Sequence, residues 1–109
     1  MIAYREATTL NDIQAFITAN KFSFVYISRK DCGVCHAVLP QVRDMLTAYP
    51  EVHLIKVDAD KIPAVAGAFS VFTVPALLLF VEGKEMVRKA RFVVMNELEQ
   101  QIAQLVENY

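Results

Sequence analysis

The chain of 109 residues is 55% hydrophobic and 21% charged, with three Gly and four Pro, which supplies a core and excludes the composition of a disordered segment. Its 11 basic and 12 acidic side chains leave a formal charge of -1, so no basic excess is available to hold a phosphate backbone, and nucleic acid is a poor partner. The longest apolar stretch, Val71 to Val81, is broken by Thr73 and Pro75 and falls short of the roughly 18 to 20 residues of a bilayer span, so no membrane partner is expected.

At the start of the chain, Met1 to Leu10 carries Arg5 and Glu6 and leads into no apolar h-region; no secretory signal is read there, and the expected location is cytoplasmic. Leu10, Ile13, Phe16 and Ile17 recur at helical spacing, and Thr9 with Asp12 resembles a capping box with a shortened acid, which predicts a helix over Leu10–Asn20. Phe22–Ser28 is too short for a typical helix and nearly apolar throughout, as a strand covered on both faces would be. From Val34 a second helical face carries Val38, Val42, Met45, Leu46 and Tyr49 and stops at Pro50, with Pro40 inside it to bend the axis. Val52–Asp58 reads as a strand, and Pro63 as the first turn of a short helix through Ala64, Val65 and Ala68. Ala76–Val81 and Glu85–Phe92 flank Glu82-Gly83-Lys84 as a hairpin, and Asn96 is placed as N-cap of a last helix whose Leu98, Ile102, Leu105 and Val106 share one side. The expected fold class is α/β, a mixed central sheet of four to five strands flanked by helices on both faces, in one domain spanning residues 1–109.

The only cysteines are Cys32 and Cys35. They fall directly after a predicted strand and at the start of a predicted helix, where unpaired backbone N–H groups and the helix dipole stabilise an anion. A thiolate is such an anion, and a thiol whose pKa falls from about 8.5 to about 7 is about half ionised at neutral pH and a competent nucleophile. Cys32, at the exposed entrance of the helix, is the expected attacking thiol; Cys35, one turn in and followed by the apolar face, is the expected resolving thiol. Gly33 either leaves the approach to Cys32 unobstructed or is an ordinary turn residue. An inert staple is a weaker reading, because so short a loop constrains the unfolded chain little.

Cys32, Cys35 and His36 also spell the C-x-x-C-H pattern of covalent haem attachment. Haem would need export, a second axial ligand such as Met95 and a pocket, whereas the surrounding pattern is a β-α-β frame. Two Cys and two His do not match zinc-finger spacing when the histidines, His36 and His53, are 17 residues apart. No metal and no bound cofactor are expected.

The strand-Cys32-Gly33-Val34-Cys35-helix unit, the kinking Pro40, and Thr73-Val74-Pro75 before the hairpin together resemble the thioredoxin family over nearly the whole chain. The resemblance implies the thioredoxin fold, a cis Pro75 facing the cysteine pair, and a Val74 backbone that pairs with an extended substrate segment as a temporary strand. With Gly33 and Val34 these residues form the expected substrate-binding surface. The implied activity is thiol-disulfide exchange between the Cys32/Cys35 dithiol and disulfides in protein substrates, with reduction as the expected direction. A separate reductase or thiol donor, unidentified, would return the pair to the dithiol.

Several residues depart from the family's pattern. There is no tryptophan; Ser28 and Asp31 stand at family tryptophan positions, and the Asp31 carboxylate disfavours a Cys32 thiolate that Arg29 and Lys30 favour. Tyr26 stands where the family has a buried aspartate that helps move the resolving thiol's proton. Lys56 resembles the family's lysine near that acid and is expected to turn outward, since an unpaired ammonium is costly to bury. Val34 replaces the usual proline, a position that influences redox poise. Arg91 stands where the family often keeps glycine beside the groove; it would favour acidic partners, or is simply an exposed strand arginine. His36 is expected on the exposed side of the helix as a modest modulator of the thiolate. These departures keep open a different class of function, a thioredoxin-fold binding module that captures partners near Pro75 with little redox turnover.

Overall fold

A computed structural model describes residues 1–109. Every residue of the strand Phe22–Ser28 is buried, but an alternation hidden within the apolar run divides its side chains between two core clusters. The elements are β1 (Arg5–Glu6), α1 (Leu10–Ala19), β2 (Phe22–Ser28), α2 (Gly33–Leu46) and β3 (Val52–Asp58), followed by α3 (Val65–Phe69), β4 (Ala76–Val81), β5 (Lys84–Ala90) and α4 (Met95–Asn108). Phe22, Phe24 and Tyr26 pack with Leu39, Val42 and Leu46 of α2 and Leu98 and Ile102 of α4. Val25 and Ile27 pack on the opposite face with Ile13, Phe16 and Ile17 of α1 and Val65 of α3. A strand can bury both faces only where helices cover both, and that is the arrangement found.

The sheet order is β1-β3-β2-β4-β5. β2 runs parallel to β3, in register from Phe22↔Val52 to Ser28↔Asp58, and antiparallel to β4, from Phe22↔Val81 to Ile27↔Ala76. The carboxyl ends of β2 and β3 and the start of β4 therefore share one rim of the sheet. The loops meet there: the Ala59 N–H donates to the Ser28 carbonyl at 2.9 Å. In open α/β sheets this rim is where ligands bind.

The expected five-strand limit, mixed pairing and two helical layers are those observed, and the differences are local. β1 has only two residues, too few for any period to be visible; it pairs with Ile55 and Lys56 of β3. Thr9 caps α1 as its sequence indicates, its hydroxyl accepting from the Asp12 N–H at 3.0 Å, while the Asp12 carboxylate pairs with Arg5 and accepts from the Thr8 N–H. α2 starts at Gly33 and ends at Leu46, so Tyr49 lies beyond it, after the Thr47-Ala48 turn, yet still packs on the α2 and α4 side of the core. Asn96 is not the cap of α4: Val94 occupies that position, its carbonyl accepting from the Leu98 N–H at 3.1 Å, and with Val93 and Met95 packed on the core the helix starts early enough to place Asn96 inside the first turn. α3 begins at Val65, leaving Pro63 and Ala64 in the preceding turn. β5 ends at Ala90, which removes Arg91 and Phe92 from the strand.

Candidate active site

Cys32 is the N-cap of α2, with extended backbone at φ -107 and ψ 99. A cap side chain ordinarily offers an oxygen to the N–H groups of the first turn. Here a sulfur takes that place: Cys32 Sγ accepts from the Cys35 N–H at 3.1 Å. Cys32 and Cys35 are joined as a disulfide, their Cα atoms 5.3 Å apart. The two sulfurs are in different surroundings, since Cys32 is half-buried at the rim whereas Cys35 is 1% exposed. In the reduced pair, the N–H aimed at Cys32 and the positive end of the helix favour negative charge on that sulfur.

Gly33 and Val34 form the exposed first turn between them. A Cβ at Gly33 would meet no atom within 4 Å, so packing does not require a glycine there. His36 lies on the exposed side of α2, as expected, and its Nε2 is 2.7 Å from the Lys30 carbonyl. A carbonyl only accepts, so Nε2 carries the proton and the imidazole ties the loop before Cys32 to the helix after it.

Beneath the pair, Tyr26 fills the position of the family's acid with a neutral group. Its side chain is 0% exposed and its hydroxyl donates to the Cys35 carbonyl at 2.5 Å. Burial pushes the phenol well above its ordinary value, so it remains a donor throughout the neutral range. Lys56 does not turn out into solvent unpaired. It faces Glu6 of β1, Nζ to Oε1 3.5 Å, and is only partly exposed. This partner was not readable from the sequence, because the two-residue β1 that supplies the carboxylate is too short to show a period.

The Val74-Pro75 peptide is cis and Pro75 is buried at the start of β4. An open groove of about 430 Å³ runs beside the cysteines, lined by Arg29, Asp31, Cys32, Asp60 and Val74. Val74 and Cys32, well apart in sequence, are thus brought to one surface. Asp60 was not singled out from sequence; its carboxylate accepts from the Lys30 N–H at 3.3 Å, which sets a second acid against Arg29 near Cys32. The adjacency of the loops after β2 and β3 is the signal that would have found it. Arg91 is exposed in a left-handed turn at φ 64 rather than in a strand, and its N–H donates to the Pro75 carbonyl at 2.9 Å. Phe72 and Phe92, also overlooked, are exposed on the loops to either side of β4 and β5.

Other parts of the molecule lack this chemistry. A larger depression of about 590 Å³, bounded by Ile2 to Arg5, Phe16, Pro50 and Val52 to Leu54, lies toward the opposite rim and contains neither cysteine. His53 lines it, on the second residue of β3, so the four residues of the zinc reading are not brought together.

The thioredoxin family profile matches residues 5–106. The thioredoxin-like protein YdfQ of Bacillus subtilis (strain 168) is 52% identical over 101 residues, which cover 93% of this chain and 90% of that protein. The X-ray structure of Fasciola hepatica thioredoxin aligns with a TM-score of 0.82 at 28% identity, over 92% of this chain and 97% of that one. Oxidised mitochondrial thioredoxin 3 from Saccharomyces cerevisiae shares the fold, with a TM-score of 0.77 at 21% identity over 97% and 95% of the two chains. Because the profile runs from β1 into α4, through both cysteines and the cis proline, the chain belongs to the thioredoxin family and is a thiol-disulfide oxidoreductase.

Proposed function

We propose that the protein reduces disulfides in other proteins, with Cys32 as the attacking sulfur and Cys35 as the resolving one. The observation that carries these roles is the contrast between the two sulfurs: Cys32 is at the rim and receives a helix N–H, whereas Cys35 is enclosed. The Cys32 thiolate attacks one client sulfur, the client S–S bond breaks, and its second sulfur leaves as a thiolate that takes up a proton. Cys35, deprotonated, then attacks the Cys32 sulfur; the first client sulfur leaves, and the Cys32–Cys35 disulfide remains. Two electrons pass to the client in each cycle, and an external dithiol, from an unidentified reductase or thiol donor, returns them by the reverse exchange.

Val74 and Pro75 support the client as an extended segment beside Cys32, with Gly33 and Val34 leaving its approach open. Asp31, Asp60, Arg29 and Arg91 set the charge it meets. Tyr26, as a protonated phenol, offers Cys35 no base, so the Cys35 proton passes to solvent or to the departing client thiolate. A reducing compartment such as the cytoplasm suits this direction, because its thiol pool keeps the pair as a dithiol.

The test is reduction of a protein disulfide by the wild type, Cys32→Ser and Cys35→Ala. Loss of turnover in the first variant and accumulation of covalent client adducts in the second are expected. Equal rates for wild type and Cys32→Ser would contradict the assignment. Tight reversible complexes indifferent to both substitutions would instead establish the binding-module function.

A further inference from the structure

Of the seven large apolar side chains left in water, Val34 lies between the two cysteines and Phe72 and Phe92, the two most exposed, lie on the loops that adjoin Pro75; Met1, Met86, Val94 and Tyr109 are the others. Val34 is 55% exposed, Phe72 78% and Phe92 85%. Phe72 lies two residues before Val74, which shares the groove with Cys32. Phe92 directly follows Arg91, whose N–H is bonded to the Pro75 carbonyl. The two rings therefore leave the backbone on separate loops that come together at Pro75. Exposed apolar residues are ordinary when scattered singly, but several at one functional rim mark a contact surface.

The backbone beneath both rings is held. At Phe92 the N–H donates to the Ala90 carbonyl at 2.8 Å, the preceding Arg91 is fixed in its left-handed turn, and its guanidinium carbon is 5.7 Å from the Phe92 ring centroid. Before Phe72, Val71 is buried and its N–H donates to the Ala66 carbonyl at 3.0 Å. Arg88 also donates to the Phe69 and Ser70 carbonyls, at 2.6 and 3.1 Å, which anchors the base of the loop to β5. Rings displayed on fixed supports lose little conformational freedom when a partner covers them.

We infer that Phe72 and Phe92 are specificity-determining residues, selecting client segments that carry aromatic or large aliphatic side chains next to the reacting cysteine. This rests on the exchange reading above. The occupant follows from continuity with the reacting sulfur: a client disulfide has to reach Cys32, so the polypeptide on either side of it passes over Val74 and between the two loops. Side chains flanking the client cysteine then meet the rings. Val34 adds an apolar surface on the helix side. A polar flank would cover the same rings without removing apolar area on its own side, and it gains less.

The test uses two disulfide-linked peptide dimers, identical except that Phe or Ser flanks each cysteine, with single-turnover reduction by the prereduced full chain. Each rate constant is divided by that of free dithiothreitol on the same peptide, to remove intrinsic reactivity. The wild type is expected to favour the Phe-flanked dimer about tenfold, equivalent to about 1.4 kcal/mol. In Phe72→Ser/Phe92→Ser the preference is expected to fall to about twofold or less. General damage to the fold or the thiolate would slow both reactions and leave their ratio, so a ratio retained in the double variant overturns the inference. Equal wild-type rates on the two peptides, with hydroxyethyl disulfide also reduced, overturn it while leaving exchange intact. A wild type unable to reduce hydroxyethyl disulfide refutes the exchange reading itself, and the specificity with it.

Discussion

Replacing Tyr26 by Phe removes one oxygen from the centre of the molecule and nothing else. The hydroxyl is fully buried and donates to the Cys35 carbonyl at 2.5 Å. Losing one such bond costs about 1 kcal/mol. With an unfolding entropy of about 2.1 cal/mol/K per residue, that corresponds to a fall in Tm of about 4 °C at this chain length. The pH dependence is the sharper reading. Burial raises the folded phenol above its ordinary value, so its contribution is complete below the unfolded value of about 10 and is lost as pH rises toward the folded one. At pH 11 ionisation of Tyr26 in the unfolded chain favours unfolding by about 1.4 kcal/mol, a term that Phe does not have. The wild-type advantage should therefore vanish near about pH 10.6 and reverse by about 0.4 kcal/mol at pH 11. Urea unfolding of the two oxidised proteins at pH 7, 9, 10 and 11 measures this, because every other titrating group cancels in the difference. A difference that stays constant through pH 11 would refute both the burial and the protonated state assigned to Tyr26.

Arg91 sits at φ 64, where a side chain costs about 1 kcal/mol and glycine costs nothing. Since glycine also makes the unfolded chain more flexible, Arg91→Gly should alter stability by less than about 0.5 kcal/mol, whereas Arg91→Val should lose about 1–2 kcal/mol on thermal unfolding. A Val variant as stable as wild type would contradict the turn. Hydrogen bonds from Arg88, reinforced by its charge, hold the Glu85 carboxyl below its ordinary value. That stability is present above about pH 4.3 and lost as pH falls through the folded value; both groups are partly solvated, so it is worth less than about 1 kcal/mol. The gap between wild type and Glu85→Gln should close between about pH 5 and pH 3, and a gap unchanged at pH 3 would exclude the pair as its source. Removing Glu6, the exposed partner of Lys56, should cost no more than about 0.5 kcal/mol by urea unfolding. A Glu6→Ala variant should also reduce protein disulfides within about twofold of wild type; a larger loss would connect Lys56 to the cysteine pair.

Much of the architecture was legible because its causes are local. The unbroken apolar run Phe22–Ser28 required cover on both sides, the spacing of Ile13, Phe16 and Ile17 required a helix face, and Thr9 announced its own cap. The cysteines and their helix entrance were readable as chemistry because Cys32 to Cys35 is one turn, whereas the proline before β4 took its role only from the family resemblance carried by Thr73-Val74-Pro75. Asp60 beside Cys32, Glu6 beside Lys56, the Cys35 carbonyl above Tyr26 and the two rings flanking Pro75 had no such signature.

By itself, then, the amino-acid order determined which segments bury a face, where α2 begins, and which sulfur stands at its entrance. Only the tertiary structure decided which charges and rings surround that sulfur and which donor replaces the missing acid. The division has a physical cause: periodicity and capping act over a turn or a strand, whereas the neighbours of Cys32 and Cys35 depend on strand register and loop geometry between segments distant in sequence.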